Sequence, residues 1–286
     1  MLILNKSLVL FFKKIKIFNI SKLLYLKFLQ NLIVIEQNTV ENYLIKNIKK
    51  FFNKNNNCII DIGAHKGDKT NILLKFFPNS TFYLFEPFPR YFNILKKRFN
   101  NKKNIFIKKL SLSNKKGEKN FFYTDNKIYE EGFSLLKNDY LEKNIVVKTI
   151  KLDDCFFKNK ISIIKIDAEG NEPNILNGGI GTIKKNLPII FIETSDFTHN
   201  KIEKFFKKMK YKIYVYEYFI FNNNLKNYAQ LGTIKENNNY LIKKSDRFKL
   251  RCYTSYDLKK YKTYVTNCIA LPINKNFLKD EKIYSI

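Results

Sequence analysis

The fold is decided by the stretch Cys58-Ile-Ile-Asp-Ile-Gly-Ala-His-Lys-Gly67. Its apolar residues run directly into Asp61, and Gly63 and Gly67 follow at a spacing that suits a tight turn. The next segment, 69–77, carries apolar residues at helical spacing. The stretch therefore predicts a buried strand, a glycine turn and a helix. In open α/β sheets, a ligand sits where the carboxyl end of a strand meets a helix N-terminus.

A second acid follows the next predicted strand, Thr81-Phe-Tyr-Leu-Phe-Glu86. A carboxylate at this tip can accept hydrogen bonds from the two hydroxyls of a ribose. Asp61 takes the place of the first glycine of the dinucleotide fingerprint, where an acid suits a cationic ligand and would repel a pyrophosphate. The pair resembles the nucleotide-binding half of methyltransferases that use S-adenosylmethionine (SAM). The alternative is a strand, turn and helix with a surface Asp61 and no ligand.

Strand and helix patterns alternate through the rest of the core, which predicts a parallel, doubly wound α/β sheet. Further strands are expected at 104–108, 119–124, 146–152, 161–167, 187–193, 211–218 and 264–271, the last one folding back at the sheet edge. Residues 125–144 are expected to form a loop over the site. We divide the chain into an N-terminal helical extension (1–57), a core (58–218), and an insertion with a final edge strand (219–286).

The formal net charge of +28 would ordinarily indicate a nucleic-acid or membrane partner. Lysines are scattered through every segment, however, as on a solvated surface, so we expect no nucleic-acid partner. The Lys-rich amphipathic residues 1–57 leave open a weak contact with a membrane surface. No apolar run reaches the roughly 18 residues of a membrane span, and the N-terminus lacks the charge order of a secretory signal. We therefore expect a cytoplasmic protein, at most peripheral at the inner membrane face.

Several motifs, taken in order, resemble those of the FkbM-type SAM-dependent methyltransferases. They are Asp61-Ile-Gly-Ala-His-Lys-Gly67, Phe85-Glu-Pro87, Leu110-Ser-Leu-Ser113 with Gly117, Gly132-Phe-Ser-Leu-Leu136, Thr149-x-x-Leu-Asp153, Ile164-Lys-Ile-Asp-Ala-Glu-Gly-Asn-Glu172 and Phe191-Ile-Glu193. The Asp-x-Glu-Gly-x-Glu run is the most specific of them. The resemblance covers residues 58–195. It implies a Rossmann-like class I methyltransferase sheet of seven strands, the last antiparallel, with SAM at the ends of the first three.

The strand ends and the resemblance together provide candidate site residues. For SAM binding they are Asp61, Gly63, Ala64, Gly67, Glu86, Pro87 and Ser111. Transfer to a hydroxyl needs near-attack geometry and a base close to the methyl group. Candidates for base or acceptor anchor are Asp167, Glu169, Glu193 and His65, which stands where the family often has Asn. Glu169 and Glu172 could instead cap the following helix, and His65 could fix the glycine turn.

We expect no metal site. The four cysteines show no paired spacing and only two histidines are present, which argues against zinc, although three close acids leave Mg²⁺ as an alternative. Many relatives are thought to methylate hydroxyls of polyketides or sugars. The resemblance therefore implies O-methylation of a small molecule or of a bacterial surface glycan. The alternatives are RNA ribose methylation, or a non-catalytic protein of the same fold docked on a membrane or complex.

Overall fold

The computed structural model describes residues 45–46, 48–49, 52, 57–124, 133–135, 143–195, 197–218, 228–230, 233–235, 248–253 and 265–273. Most of the predicted N-terminal extension, and most of the predicted loop at 125–144, lie outside this set. The family motif at 132–136 is described only at 133–135.

Strands and helices alternate along the described core. The strands are β1 (Cys58–Ile62), β2 (Thr81–Phe85), β3 (Ile105–Lys108), β4 (Ser111–Leu112), β5 (Gly117–Tyr123), β6 (Phe133–Ser134), β7 (Lys143–Ile150), β8 (Ile161–Ile166), β9 (Ile189–Ser195), β10 (Tyr211–Tyr218), β11 (Tyr228–Gln230), β12 (Thr233–Lys235), β13 (Phe248–Tyr253) and β14 (Val265–Pro272). The helices are α1 (Asp68–Phe76), α2 (Pro89–Arg98), α3 (Glu172–Asn177), α4 (Ile180–Asn186) and α5 (His199–Lys208).

The central sheet has the order β13-β10-β14-β9-β8-β1-β2-β3. The strands from β9 to β3 pair in parallel, and β14 pairs antiparallel with both β9 and β10. The predicted seven-stranded class I methyltransferase sheet, with its last strand antiparallel, is therefore confirmed. In the described part of the chain an eighth strand, β13, extends it by pairing antiparallel with β10.

The position predicted for the last strand was wrong, because β14 lies inside the sheet and β13 forms the edge. The burial of β14 shows the physical reason. Residues 268–271 are all buried, as expected of a strand with a neighbour on each side and core on both faces. A continuous apolar run at 268–271 fits an internal strand better than an edge strand, which usually carries polar interruptions.

Two hydrophobic cores lie on opposite faces of the sheet. One packs α1, α2 and residues 45 and 48 against Ile59, Phe82 and Leu84. The other packs α3, α4 and α5 against Ile60 and Ile62. Because side chains alternate along a strand, β1 supplies both cores, as a doubly wound fold requires. None of the described helices is long and apolar enough to cross a membrane.

A smaller sheet with the order β4-β7-β5-β6 follows β3 in the chain. Its main pairing is antiparallel, between β5 and β7, and Leu112 and Val147 are buried. Phe121 of β5 points toward the carboxyl ends of β1 and β2, where it lines a cavity. The small sheet therefore forms one wall of that cavity.

Candidate active site

A cavity of about 330 Å³ lies at the carboxyl ends of β1, β2 and β8. This volume falls within the range of small-molecule sites. The cavity brings together most of the predicted site residues, namely Gly63, Ala64, His65, Glu86, Pro87, Ser111, Asp167 and Glu169. Glu193 lines a smaller neighbouring cavity, which shares Lys69, Lys165 and Asp167 with the first. Asp61 and Gly67 line neither.

Both glycines of the turn are required by close packing and by backbone conformation. Gly63 has φ of +73°, and a Cβ there would collide with the backbone carbonyl of Asp167. Gly67 has φ of +83°, and its Cβ would meet Phe99 and Leu95. Gly63 therefore brings the backbone up to the cavity, whereas Gly67 acts through the packing of α1.

Glu86 is held in the cavity wall by two backbone bonds. Its Oε2 accepts a hydrogen bond from the His65 N–H, and its Oε1 accepts one from the Phe88 N–H, both at 2.8 Å. The residue is only 3% exposed, and this burial raises the pKa of its carboxyl to about 7, although the two backbone bonds act in the opposite direction. Each oxygen keeps a second lone pair, so the aimed carboxylate can accept two further donors.

Asp61 lines neither cavity, and the expectation that it contacts a ligand stays a prediction. It is fully buried on the α1 face of the sheet. Its Oδ2 accepts a hydrogen bond from Thr70 Oγ1 at 2.5 Å, and its Oδ1 lies 3.3 Å from Lys165 Nζ. Asp61 and Lys165 are register partners on β1 and β8, so their side chains project to the same face.

Lys165 links the glycine turn to the tip of β8. Its Nζ donates a hydrogen bond to the Gly63 carbonyl at 2.8 Å and lies 3.3 Å from both Asp61 Oδ1 and Asp167 Oδ2. Burial works to lower the pKa of Lys165, but the carboxylates of Asp167 and Asp61 outweigh it and hold the pKa above its ordinary value. The side chain is therefore a permanent cation between two acids.

His65 has the environment of a neutral positioning residue. Burial, together with the nearby cations Lys66 and Lys165, lowers the pKa of its imidazole to about 4. Its ring packs against Tyr91 with centroids 3.9 Å apart. An imidazole with this pKa is neutral at pH 7 and only weakly basic. The packing of the ring on Tyr91 therefore favours the alternative that His65 fixes the turn, and the backbone N–H of His65 also aims Glu86.

The Asp-x-Glu-Gly-x-Glu motif forms a rigid loop after β8. Glu169 and Gly170 have positive φ, and Glu172 Oε1 accepts hydrogen bonds from the N–H groups of Ala168 and Gly170 at 2.9 and 3.0 Å. Glu172 is 2% exposed. Its side chain therefore binds backward onto the loop, and Glu172's own N–H, at the start of α3, is a further donor to it. The loop presents Asp167 and Glu169 to the cavity.

We expect Glu172→Ala to loosen this loop and to lower the free energy of unfolding by about 1–3 kcal/mol, because two partly buried N–H groups lose their acceptor. Hydrogen exchange should show lost protection at the amides of Ala168 and Gly170. Glu172→Gln is the matched control, because one carbonyl oxygen is enough to accept both bonds. If Glu172→Ala kept the protection of both amides, the assigned role would be wrong.

Three carboxylates converge where the two cavities meet. Asp167, Glu169 and Glu193 each offer an oxygen within 4.8 Å of the others. Burial, followed by the repulsion from Asp167 and Glu169, raises the pKa of Glu193 well above its ordinary value. Such a cluster can accept hydrogen bonds from hydroxyls and can hold a proton removed from one of them. The expectation that it binds no metal stays a prediction.

Sequence reasoning missed several residues of the cavity wall: Lys69, Leu110, Phe121, Leu135, Asn171 and Ile175. Asn171 also fixes the loop, because its Nδ2 donates a hydrogen bond to the Leu112 carbonyl at 2.8 Å. The family motifs at Leu110–Ser113, Gly132–Leu136 and Ile164–Glu172 contain Leu110, Leu135 and Asn171. The other residues stand in segments whose place at the cavity depends on the tertiary fold.

Residues 61–213, more than half of the chain, match the family of the Methyltransferase FkbM domain. No curated protein matches the chain significantly. Similar solved structures include methyltransferase FkbM from Methylobacillus flagellatus KT, at 16% identity and a TM-score of 0.41 over 57% of this chain and 40% of that one. This chain thus matches less than half of that protein's length.

Two further solved structures cover more of the chain. One is precorrin-6y C5,15-methyltransferase from Geobacter metallireducens GS-15, at 11% identity and a TM-score of 0.40 over 80% of this chain and 86% of that one. The other is a SAM-dependent O-methyltransferase from Thermotoga maritima, at 8% identity and a TM-score of 0.41 over 83% and 64%.

Proposed function

Because the chain belongs to the FkbM methyltransferase family, we propose that it is a SAM-dependent O-methyltransferase acting on a hydroxyl of a small molecule or of a bacterial surface sugar. The observation that carries the proposal is the position of Glu86. Its buried carboxylate faces the same cavity as the glycine turn and is aimed by two backbone N–H groups. A carboxylate held in this way can accept hydrogen bonds from both hydroxyls of a ribose.

The residues of the cavity fit SAM at both ends. Glu86 would hold the ribose hydroxyls, and Ala64, Pro87 and Ser111 would line the adenosine end. Gly63 brings the turn close enough for backbone contact with the amino-acid end, near the N-terminus of α1. The carboxylates of the β8 loop suit a cationic sulfur centre. When bound, SAM supplies a methyl group activated by the sulfonium.

The chain's own residues would orient the acceptor and take its proton. Asp167 and Glu169 project from a loop that Glu172 and Asn171 hold in place, so an acceptor hydroxyl can be fixed against the methyl carbon. An ionised carboxylate at this point can receive the hydroxyl proton. Asp167, in an ion pair with Lys165, is the better candidate base, since burial and then the repulsion from Asp167 and Glu169 raise the pKa of the Glu193 carboxyl well above its ordinary value.

The acidic end of the cavity, where the methyl acceptor would bind, also favours a sugar or other neutral polyol over RNA. A ribose in RNA carries a phosphate on each side, and those phosphates would approach Asp167, Glu169 and Glu193. Like charges without compensation disfavour that complex. The proposed partner is therefore a small-molecule or glycan acceptor. A weak membrane contact through residues 1–57 stays a prediction, because most of that segment lies outside the described residues.

The reaction is tested by incubating the full chain with SAM and separate pools of sugars, polyketide alcohols and structured RNA. Release of S-adenosylhomocysteine (SAH) above the acceptor-free rate is expected in a hydroxylated small-molecule or glycan pool, and the product mass should rise by one methyl group. Asp167→Asn should remove this release. Turnover with RNA alone, steeply reduced by added salt, would replace the proposal with RNA methylation.

Binding of an adenosine ligand should weaken below about pH 7. Burial raises the pKa of the Glu86 carboxyl to about 7, and ribose hydroxyls are bound by the ionised form, so the competent fraction falls as the pH drops through this value. We expect Kd to rise by up to about tenfold per pH unit below pH 7. Calorimetry with 5′-methylthioadenosine, which carries no ionisable amino-acid group, measures this from pH 5.5 to 8.5. A flat profile would contradict the assignment of Glu86 to the ribose, and the exposed variant Glu118→Gln should keep the slope.

A further inference from the structure

The pairing of β1 with β8 does not require a lysine at position 165, so Lys165 has a further role. It interrupts a strand of isoleucines, and its side chain is only 12% exposed. An apolar residue would pack in that position at lower cost than a cation. Its ammonium instead lies between Gly63, on the side of the cavity proposed for SAM, and Asp167, on the side proposed for the methyl acceptor.

The charges around Lys165 explain why a cation at this position matters. Carboxylates of Asp167, Glu169 and Glu193 converge at the β8 tip, and Asp61 lies behind them. Lys165 lies 3.3 Å from Asp61 and from Asp167, and so offsets part of this negative charge. Lys69 and Asp68 face the same cavity from the N-terminus of α1 and carry opposite charges.

The ligands of a SAM-dependent enzyme differ in charge at the sulfur. SAM is a sulfonium cation there, whereas its product SAH is a neutral thioether with the same adenosine and amino-acid ends. Uncompensated carboxylates near the sulfur would favour SAM over SAH, and a cation near the sulfur would reduce that preference. The net charge around the β8 tip therefore determines the relative affinity for the two.

We propose that Lys165 sets the charge selectivity of the site: by pairing with Asp61 and Asp167, it limits the preference of the carboxylates for SAM over SAH. The inference rests on the proposed function and assigns to Lys165 a part in discriminating between SAM and SAH. Lys165 is a positioning and charge-balancing residue that acts through its two carboxylate partners. It needs no contact with either ligand.

A purely structural role for Lys165 makes a different prediction. If Lys165 only held the glycine turn, its loss would weaken SAM and SAH by the same factor, because the turn faces the parts that the two ligands share. The ratio Kd(SAH)/Kd(SAM) would then stay at the wild-type value. A role in charge selectivity changes this ratio, in a direction that depends on which charge is removed.

The test is calorimetric titration of the full chain with SAM and, separately, with SAH. We expect Lys165→Met to raise the ratio Kd(SAH)/Kd(SAM) by about three- to tenfold, and Asp167→Asn to lower it by a similar factor. Lys148→Met removes the same charge from an exposed position on β7, and should leave the ratio unchanged. The side chain of Asp167 is 37% exposed, so Asp167→Asn should fold and can decide the question even if Lys165→Met does not fold.

An unchanged ratio in both variants, or shifts in the reverse direction, would overturn the inference while leaving the proposed function intact. Failure of the wild-type chain to bind either ligand would instead contradict the proposed function, and the inference with it. The two failures are therefore distinguishable from the wild-type titration alone.

Discussion

Lys165→Met is expected to lower the free energy of unfolding by about 3–5 kcal/mol, because removing one partner of a buried ion pair leaves the other charge without compensation. The charge left without its ion-pair partner is that of Asp61, which is fully buried. Among the described residues, it would keep only the hydrogen bond from Thr70. The Gly63 carbonyl would lose its donor as well. Urea denaturation at pH 7, followed by far-UV circular dichroism, measures the loss.

Two controls separate this effect from the loss of a lysine in general. Lys148→Met, at an exposed position, should change stability by less than about 0.5 kcal/mol. The double variant Lys165→Met/Asp61→Asn should recover at least half of the loss, because it removes the stranded charge. If the double variant were as unstable as the single one, the ion pair would not be the cause.

Glu86→Ala should weaken SAM and SAH binding by at least about 100-fold. Hydrogen bonds to a charged group contribute about 1.5–3 kcal/mol each, and a ribose diol would make two of them. The substitution also removes the acceptor of the His65 and Phe88 N–H groups, which loosens the wall behind the ribose. Isothermal titration calorimetry with SAH at pH 8, where Glu86 is ionised in the wild type, gives the dissociation constants of the wild type and of the variant.

The matched control for Glu86→Ala is Glu118→Ala, at an exposed position of β5. It should bind SAH with wild-type affinity. Thermal unfolding without ligand should show that Glu86→Ala is folded at the temperature of the titration. If a folded Glu86→Ala variant bound SAH within threefold of the wild type, the ribose would have to be bound by another group.

The parts of the site that depend on one strand and its turn were predictable from the sequence. Glu86 follows a five-residue apolar strand, so its place at the carboxyl edge follows from the length of that strand. The glycine turn and the loop after β8 were predictable for the same reason, because each directly continues a buried strand. Parallel strands bring these three ends to one edge of the sheet.

The direction of Asp61 was not predictable in this way. It belongs to β1 itself, and its partner Lys165 lies more than 100 residues away on β8. Whether an acid in a strand faces a ligand or a buried cation depends on the register between two strands, which neither segment encodes alone. The structure shows that Lys165 pairs with both Asp61 and Asp167.

The order of the strands in the sheet could not be predicted from local sequence patterns either. The apolar pattern at 264–271 indicated a strand, but its place between β9 and β10 follows from pairings with segments about 50 to 80 residues earlier in the chain. A family resemblance supplied the antiparallel direction of this strand. The continuous apolar run at 268–271 was the clue in the sequence that this strand lies inside the sheet.

We infer that the carboxylate of Glu86 and the glycine turn at Gly63 hold the two ends of SAM in one cavity. The most direct measurement is a crystal structure of the full chain grown with SAH. We predict both ribose hydroxyls within hydrogen-bonding distance of the Glu86 oxygens, with the amino-acid end over Gly63 and the sulfur facing the β8 loop. SAH bound elsewhere on the molecule, or a ribose that does not contact Glu86, would contradict the account.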